Sequence, residues 1–297
     1  MMASRIGFFG RATEGAVMRR SLAALGLIGL LSPASAADLP LLRGSETFVP
    51  AFPAYARWEG FYFGGQLSYG NFNADFAGAS QPLFAVPLRN LVFENEVHPE
   101  NIPVLGAAER GAGGVGGFVG YNWQYEQAII GLEFNYIHSD FNAGAPDFPI
   151  ARQIRLSNGT VVQFTLDASA TMRLTDIGEL RARFGYAAGA FMPYATIGLA
   201  SGRADVAALV SCVCIQLTPN KTPPPQFDPT QTVDFSFTNS TGKSSAYIWG
   251  YSGGAGLEWA LTPNIFARAD YEYIQWSPVS KINSHLNIAH LGLGFRF

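Results

Sequence analysis

FYFGGQLSYG, residues 61–70, has large apolar side chains at four of its five odd positions and small or polar ones at most even positions. This period of two is that of a β-strand whose two faces lie in different surroundings. The sequence therefore predicts a strand here, with apolar and aromatic side chains on one face and small or polar side chains on the other.

The same alternation returns along the rest of the chain. The apolar sides of the further segments are, in order, Val115, Val119, Tyr121 and Trp123; Ile130, Leu132, Phe134 and Tyr136; Leu180, Ala182, Phe184 and Tyr186; Ala195, Ile197 and Leu199; Tyr247, Trp249, Tyr251, Leu257 and Trp259; Ala267, Ala269, Tyr271 and Tyr273; and Leu291, Leu293, Phe295 and Phe297. Together with residues 61–70 these segments predict an all-β fold of eight antiparallel strands, each of about ten residues.

A soluble β-sandwich would show the same alternation, so other features must separate it from a membrane barrel. Charged residues make up only 14% of the chain, which holds 23 Phe and 12 Tyr. Aromatic residues gather toward the predicted strand ends, as in the girdles at membrane interfaces. They are Trp58, Tyr69, Trp123, Tyr136, Trp249, Trp259 and Trp276.

The connections between strands also alternate in length. The short ones are 125–127, 187–191 and 260–263, and the long ones are 72–113, 139–174 and 204–246. Short periplasmic turns and long extracellular loops are typical of an up-and-down transmembrane β-barrel. We predict that fold for residues 58–297.

A helical membrane span is the main alternative. Residues 184–202 carry no charge over a length that could cross a bilayer. The segment contains Gly185, Gly189, Pro193 and Gly198, however, and it divides into two alternating strands that meet within it. We therefore interpret it as a hairpin.

The first 36 residues have the order of a secretory signal peptide. Basic Arg19-Arg20 precedes the apolar run 22–31 and a small-residue site that predicts cleavage between Ala36 and Ala37. The arginine pair also fits twin-arginine export, and Met18 would make a shorter leader than Met1. Residues 37–57 look like a periplasmic lead-in without a fold of its own.

Charge and cysteine content exclude two broad classes of function. Without residues 1–36 the chain has 15 basic and 21 acidic residues, and this acidic balance argues against nucleic acid as a partner. Cys212 and Cys214 are too few and too close for a disulfide framework. We interpret them as incidental thiols or one local bridge rather than as a metal or redox site.

Several motifs together resemble a known family. The residues that carry the resemblance are 58–65, 180–186, 253–258 followed by 268–273, and 291–297. These motifs resemble the small porin-like outer-membrane surface antigens of alphaproteobacteria, which have an OmpA-like transmembrane barrel. The resemblance implies a closed barrel that supports envelope integrity, in some members with slight diffusion, haem binding or host contact. The long loops here depart from the family.

Charged residues on the polar faces predict what fills the barrel. They are Glu133, Glu179, Arg181, Arg183, Glu258, Arg268, Asp270, Glu272 and Arg296. Eight strands enclose a lumen just wide enough for side chains, where unpaired charges are costly. We expect a salt-bridge network that plugs the lumen; the alternative is a small-solute channel lined by the same residues.

The last strand carries a candidate assembly signal, Leu291, Leu293, Phe295 and Phe297 on one face. An alternating, unpaired edge of this kind must join the first strand to close the barrel. The partners that we predict are the barrel assembly machinery, periplasmic chaperones, outer-membrane lipid and lipopolysaccharide. A host surface or haem is the alternative partner.

Candidates for chemistry are few. His138-Ser139-Asp140 with His285 could activate a serine for acyl transfer, but adjacent strand residues point in different directions. His98, His138 and His285 could instead bind haem or a metal. Gly111, Gly113 and Gly116 match a dinucleotide fingerprint by spacing alone, and they are better explained as glycines on a curved barrel wall.

We therefore predict a structural outer-membrane barrel that is not an enzyme and has no cofactor. Residues 152–166, with Asn158-Gly159 near the middle, predict a hairpin that stands on the second long loop. Thr222-Pro223-Pro224-Pro225 predicts a stiff, extended third loop.

Overall fold

The structure, a computed structural model, describes residues 57–145, 148–157, 159, 161–217 and 232–297. The predicted signal peptide 1–36, its cleavage site at Ala36 and Ala37, and nearly all of the predicted lead-in 37–57 lie outside the described residues. The proline-rich part of the third loop also lies outside them.

Strands dominate the described chain. In order, the elements are β1 (Gly60–Asp75), α1 (Gln81–Leu88), α2 (Val92–Val97), a 3-10 turn (Pro99–Asn101), β2 (Ala107–Tyr125), β3 (Ala128–Gly144), β4 (Ile150–Arg155), β5 (Val161–Tyr186), β6 (Phe191–Leu217), β7 (Thr232–Ala260), β8 (Ile265–Trp276) and β9 (Asn283–Arg296). In the described part of the chain, no helix is long and apolar enough to span a membrane.

Eight of these strands form a closed antiparallel ring. Neighbours in the chain pair with each other, except that β3 pairs with β5 across the inserted β4, and the ring closes where β1 pairs with β9. Pairing the first strand with the last removes both free edges of the sheet. The predicted eight-stranded up-and-down barrel is confirmed.

The predicted hairpin on the second long connection is a side branch of the ring. β4 pairs with β5 between Ile150 opposite Leu166 and Arg155 opposite Val161. Gly159 lies between the two strands with φ +85, a left-handed conformation that glycine adopts at little cost.

The two ends of the barrel differ as the sequence predicts. The connections β2–β3, β5–β6 and β7–β8 are short, and they lie at the same end as the C-terminus, where the Arg296 amide donates to the Asn264 carbonyl at 2.7 Å. Short turns mark the periplasmic end of such barrels. The opposite end, which carries the long connections, is therefore extracellular.

The periplasmic part of the wall reverses the usual arrangement of a soluble protein. Leu67, Leu199 and Leu291 point outward and are about two-thirds exposed, whereas Glu133 and Arg181 point inward and are 1% exposed. Such an arrangement is costly in water but stabilising when the outer face meets lipid. This part of the wall is the membrane band.

Above the membrane band the polarity changes sides. On β6 the inward residues Ala204, Val206 and Val210 are buried in an apolar core, and the outward Arg203 is exposed while Asp205 is half-buried. The strands simply continue beyond the membrane as a water-soluble sheet. The prediction that residues 139–174 and 204–246 are loops is therefore wrong over most of their length. The alternation of apolar and polar residues persists there, with the apolar side facing inward.

This continuation makes a four-stranded sheet of β4 and the outer parts of β5, β6 and β7 (150–155, 161–173, 205–217 and 232–243), here called the extracellular sheet. Helices α1 and α2 pack on its inner side. Phe84 meets Phe237, and Phe93 meets Phe164 with ring centroids 5.0 Å apart. The predicted loop 72–113 thus contains an ordered cap over the extracellular mouth.

Glu96 of α2 fastens this cap to the hairpin. Its carboxylate accepts hydrogen bonds from the Ser157 amide at 2.8 Å and from the Ser157 hydroxyl. We expect Glu96→Ala to raise the rate of proteolysis within residues 76–106 about fivefold, a loss of roughly 1 kcal/mol of local stability. Limited proteolysis of the folded protein measures this, with exposed Glu109→Ala on β2 as the control; equal rates for both variants would contradict the fastening role.

Two of the seven predicted girdle aromatics lie elsewhere. Trp58 and Trp276 are buried inside the barrel, whereas Tyr69, Trp123, Tyr136, Trp249 and Trp259 face outward. Trp276 faces inward because of its place in the alternation of β8. Gly202 and Gly250 leave room for the indole, since a Cβ at either glycine would lie 3.0 Å from the Trp276 ring. The prediction of those two residues as girdle anchors was wrong.

Candidate functional site: the charged lumen

The membrane band is filled by charged side chains that the sequence places on the inner face. All nine predicted residues point inward, and each is less than one-tenth exposed: Glu133, Glu179, Arg181, Arg183, Glu258, Arg268, Asp270, Glu272 and Arg296. They come from β3, β5, β7, β8 and β9. The barrel closure brings them together across the lumen.

Glu133 is the centre of this cluster. Its carboxylate contacts the guanidinium groups of Arg181, Arg183 and Arg268, the last two at 3.0 Å. It also accepts a hydrogen bond from the Tyr62 hydroxyl at 2.9 Å. One carboxylate thus links β3 to β1, β5 and β8, which lie on different sides of the ring.

Each arginine also reaches a second acid. Arg181 contacts Glu272 at 2.7 Å, and Arg183 contacts Glu258 at 2.5 Å. Arg268 lies 3.2 Å from Asp270. The ion pairs therefore continue from Glu133 toward β7 and β8, so that the network crosses the lumen instead of lining one wall.

Glu179 completes the group near the extracellular side. It lies 3.6 Å from Arg181 and accepts a hydrogen bond from the Asn135 side chain at 3.2 Å. With Glu133, Glu258, Asp270 and Glu272 it makes five acids, against three arginines in the paired cluster. His290, whose Nε2 lies 3.6 Å from Glu272, is a further basic partner.

Arg296 differs from the other predicted network residues. It donates to the Pro263 carbonyl at 2.9 Å, and its guanidinium lies over the Trp58 ring, 4.5 Å from the centroid. Within the described residues it has no carboxylate within 4.0 Å. It occupies the last inward position at the periplasmic end, where Trp58 closes the barrel, and it belongs to that closure.

Neutral residues that the sequence analysis did not include complete the network. Gln66 accepts from Arg268 and donates to Asn135, both at 2.8 Å. Tyr194 donates to Asp270 at 2.9 Å, and the Ser68 hydroxyl lies 2.7 Å from His290 Nδ1. All of them share the inward register of the charged residues, and that register is the signal that could have found them.

Glycines bring the strand backbones and the filling side chains close together. A Cβ at Gly64 would lie 2.3 Å from the Phe118 ring, and one at Gly120 would lie 2.3 Å from the Tyr62 hydroxyl. The guanidinium of Arg268 in turn lies over the Phe118 ring, 3.7 Å from its centroid. Gly116 is a point of close strand approach as well, since its Cβ would meet the Tyr136 carbonyl at 2.0 Å.

The serine candidate for catalysis is separated from its predicted partners. Ser139 is buried on the inner face, while His138 and Asp140 lie on the outer face of the same strand. His138 contacts Asp176 at 2.8 Å. Arg173 binds Asp140 at 2.6 Å, and this hydrogen bond lowers the pKa of Asp140 below its usual value.

The other histidine and cysteine candidates are also dispersed. His98 lies beside Glu100 at 3.2 Å in the extracellular cap, and His285 lies against Tyr273 on the outside of the wall. Cys212 and Cys214 point into the apolar core with their Sγ atoms 3.8 Å apart, well beyond disulfide length. Among the residues that the structure describes, no three His, Cys, Asp or Glu side chains could hold one metal ion.

The predicted assembly residues lie on the lipid-facing side of the closing strand. Leu291, Leu293 and Phe297 are exposed to the outside, and Phe295 packs edge-on against Phe297. Phe61 and Phe63 of the first strand contact the same terminal ring. These four predicted assembly residues thus form part of the seam between the first and last strands.

Residues 46–297 match the model of the outer membrane protein beta-barrel domain. The chain belongs to this family. It is an outer-membrane protein, and the predicted resemblance is confirmed by curated relatives. The 22 kDa outer membrane protein of Rhizobium leguminosarum bv. viciae is 27% identical over 231 residues, 76% of this chain and 68% of that protein.

A second relative of this outer-membrane barrel is the 25 kDa outer-membrane immunogenic protein of Brucella ovis. It is 24% identical over 182 residues, which are 61% of this chain and 62% of that protein. The chain thus spans less than two thirds of the length of the Brucella ovis relative.

Two solved structures of bacterial proteins are similar to this chain at low sequence identity. The attachment invasion locus protein Ail of Yersinia pestis is 13% identical, with a TM-score of 0.30 and coverage of 80% of this chain and 99% of Ail. Neisserial surface protein A is also 13% identical, with a TM-score of 0.31 and coverage of 80% and 97%.

Proposed function

We propose that this protein is a structural, non-enzymatic barrel that supports the integrity of the outer membrane, with a plugged lumen that is at most weakly permeable. The observation that carries the proposal is the position of Glu133, held by three guanidinium groups from β5 and β8. A network tied to opposite sides of the wall both fills the lumen and braces it.

The energetics of buried charge favour a plug over a channel. Removing one partner from a buried ion pair typically costs about 3–5 kcal/mol, because the other charge is left uncompensated. Ions or solutes that pass the lumen must break contacts such as Arg181–Glu272 and Arg183–Glu258. Eight strands leave no second path around them.

The extracellular sheet and its helical cap are the parts that meet the surroundings of the cell. The Brucella relatives are named as immunogenic proteins, and a surface-exposed sheet of this size would fit a similar role here. Binding of haem or of a host surface through this region is the alternative function. Assembly through the barrel machinery and periplasmic chaperones follows from the terminal strand and is part of the proposal.

The non-enzymatic part of the proposal is supported by the orientation of Ser139. A serine nucleophile must lie within hydrogen-bond reach of its base, and Ser139 faces the interior while His138 faces outward.

Envelope integrity of a deletion strain tests the proposal. We expect the strain to take up more of a hydrophobic fluorescent dye and to regain its barrier when the wild-type gene, or a His138→Ala variant, is returned. A normal barrier together with slower uptake of small hydrophilic solutes would instead make the protein a porin. A change in the haemin absorption spectrum on adding the purified protein would favour the haem-binding alternative.

A further inference from the structure

A groove runs along the outside of the barrel at the extracellular limit of the membrane band. Tyr136 of β3 and Tyr247 of β7 form its sides, and Gly178 and Ser201 lie between them. Its volume is about 360 Å³. The groove opens sideways toward lipid, at the level where the outward face changes from apolar to charged.

Arg203 stands at the upper end of the groove, on the outer face of β6. Its guanidinium donates to the Ser245 hydroxyl at 2.7 Å, and no carboxylate of the described residues lies within 4.0 Å of it. The nearby outward Arg173 is different, because Asp140 binds it through two nitrogens. Arg203 therefore keeps most of its guanidinium donors for an external group.

The acid in the groove is already engaged. Asp176 accepts hydrogen bonds from the Tyr136 hydroxyl at 2.7 Å and from the Thr175 hydroxyl at 3.2 Å, and it lies 2.8 Å from His138 Nδ1. These contacts fix the carboxylate against β3. They leave Arg203 as the group that faces a ligand from the top of the groove.

We propose that this groove binds a phosphorylated glycolipid of the outer leaflet, with a phosphate on Arg203 and the adjoining sugar and acyl chain between Tyr136 and Tyr247. An arginine fork matches the oxygens of a phosphate, and tyrosines suit the boundary between headgroups and acyl chains. The groove lies where a headgroup lies, and it faces the membrane and not the medium. The proposal rests on the outer-membrane location and is independent of the lumen.

Two variants separate the parts of this site. Arg203→Ala removes the phosphate partner. Gly178→Leu fills the groove from its floor, and it is compatible with the fold because a Cβ at Gly178 meets only the Phe134 ring, at an ordinary 3.8 Å. Arg110→Ala is the control, since Arg110 is an exposed arginine of β2 that lies opposite Phe72 on the inner side of the extracellular mouth, away from the groove.

The measurement is native mass spectrometry of the folded protein in detergent, titrated with bisphosphorylated lipid A and with the same lipid after dephosphorylation. We expect Arg203→Ala to weaken binding of the phosphorylated lipid about tenfold, the loss of one charge-assisted hydrogen bond. Gly178→Leu should weaken binding of both lipids, and Arg110→Ala should change neither.

Other results would overturn the assignment. Equal losses for Arg203→Ala and Arg110→Ala would indicate attraction by general charge, and unchanged binding to Gly178→Leu would place the lipid elsewhere. Wild-type protein that binds phosphatidylglycerol as tightly as lipid A would exclude recognition of a glycolipid. Dimers that disappear with Gly178→Leu would assign the groove to a second copy of the chain.

Discussion

Replacing Glu133 by Gln is expected to lower the free energy of unfolding by about 3–5 kcal/mol, the usual cost of removing one partner from a buried ion pair. The variant keeps the shape of the side chain but leaves Arg181, Arg183 and Arg268 facing a neutral amide. Urea unfolding of the barrel in lipid vesicles, followed by tryptophan fluorescence, gives the free energy.

The control for this variant is Asp140→Asn, which also removes one carboxylate from an arginine but at an exposed site outside the membrane band. Exposed ion pairs contribute little to stability. We expect its unfolding curve to overlay that of the wild type. If Glu133→Gln and Asp140→Asn unfold at the same urea concentration, the lumen network does not brace the barrel.

Leu132→Arg is expected to cost about 2–4 kcal/mol in a lipid bilayer, the penalty for an arginine on the lipid face near the midplane. Leu132 points outward and is half exposed, and it lies midway along β3 between the periplasmic turn and Tyr136. In a water-soluble sheet the same exposed position would tolerate arginine. Unfolding in vesicles of defined thickness measures the difference.

Leu209→Arg provides the matched comparison above the membrane. Leu209 is also an outward leucine, 43% exposed, but it lies on the part of β6 that belongs to the extracellular sheet. Surface substitutions in water usually change stability by less than about 0.5 kcal/mol. Similar large losses at both positions would mean that the polarity change does not mark the edge of the membrane.

The membrane strands could be predicted from the sequence because their alternation is strong and its apolar side is large. Leu67, Phe134 and Leu293 all lie where the period of two places them. The extracellular extensions were missed because their inward residues, such as Ala204 and Ala208, are small, and their outward residues are a mixture of polar and apolar side chains. Outside the predicted hairpin 152–166, a search for unbroken runs of large outward residues therefore finds no strand in these extensions.

The composition of the lumen was predictable, but its geometry was not. Within the membrane band, the inward position of each charged strand residue follows from the alternation in the sequence, which is why Glu133 and Glu272 could be named. Their partners depend on the stagger between strands and on which residues oppose each other across the barrel. The stacking of Arg296 on Trp58 could not be predicted for the same reason, because the two side chains meet only when the periplasmic end of the barrel closes.

Single-channel recording in planar bilayers tests the central claim most directly. The protein is refolded first, and its folded state is confirmed by faster electrophoretic migration before boiling than after it. The account predicts that the wild type shows almost no conductance and that Glu133→Gln shows frequent small openings. Steady, large openings of the wild-type protein would contradict a plugged lumen and would make this barrel a porin.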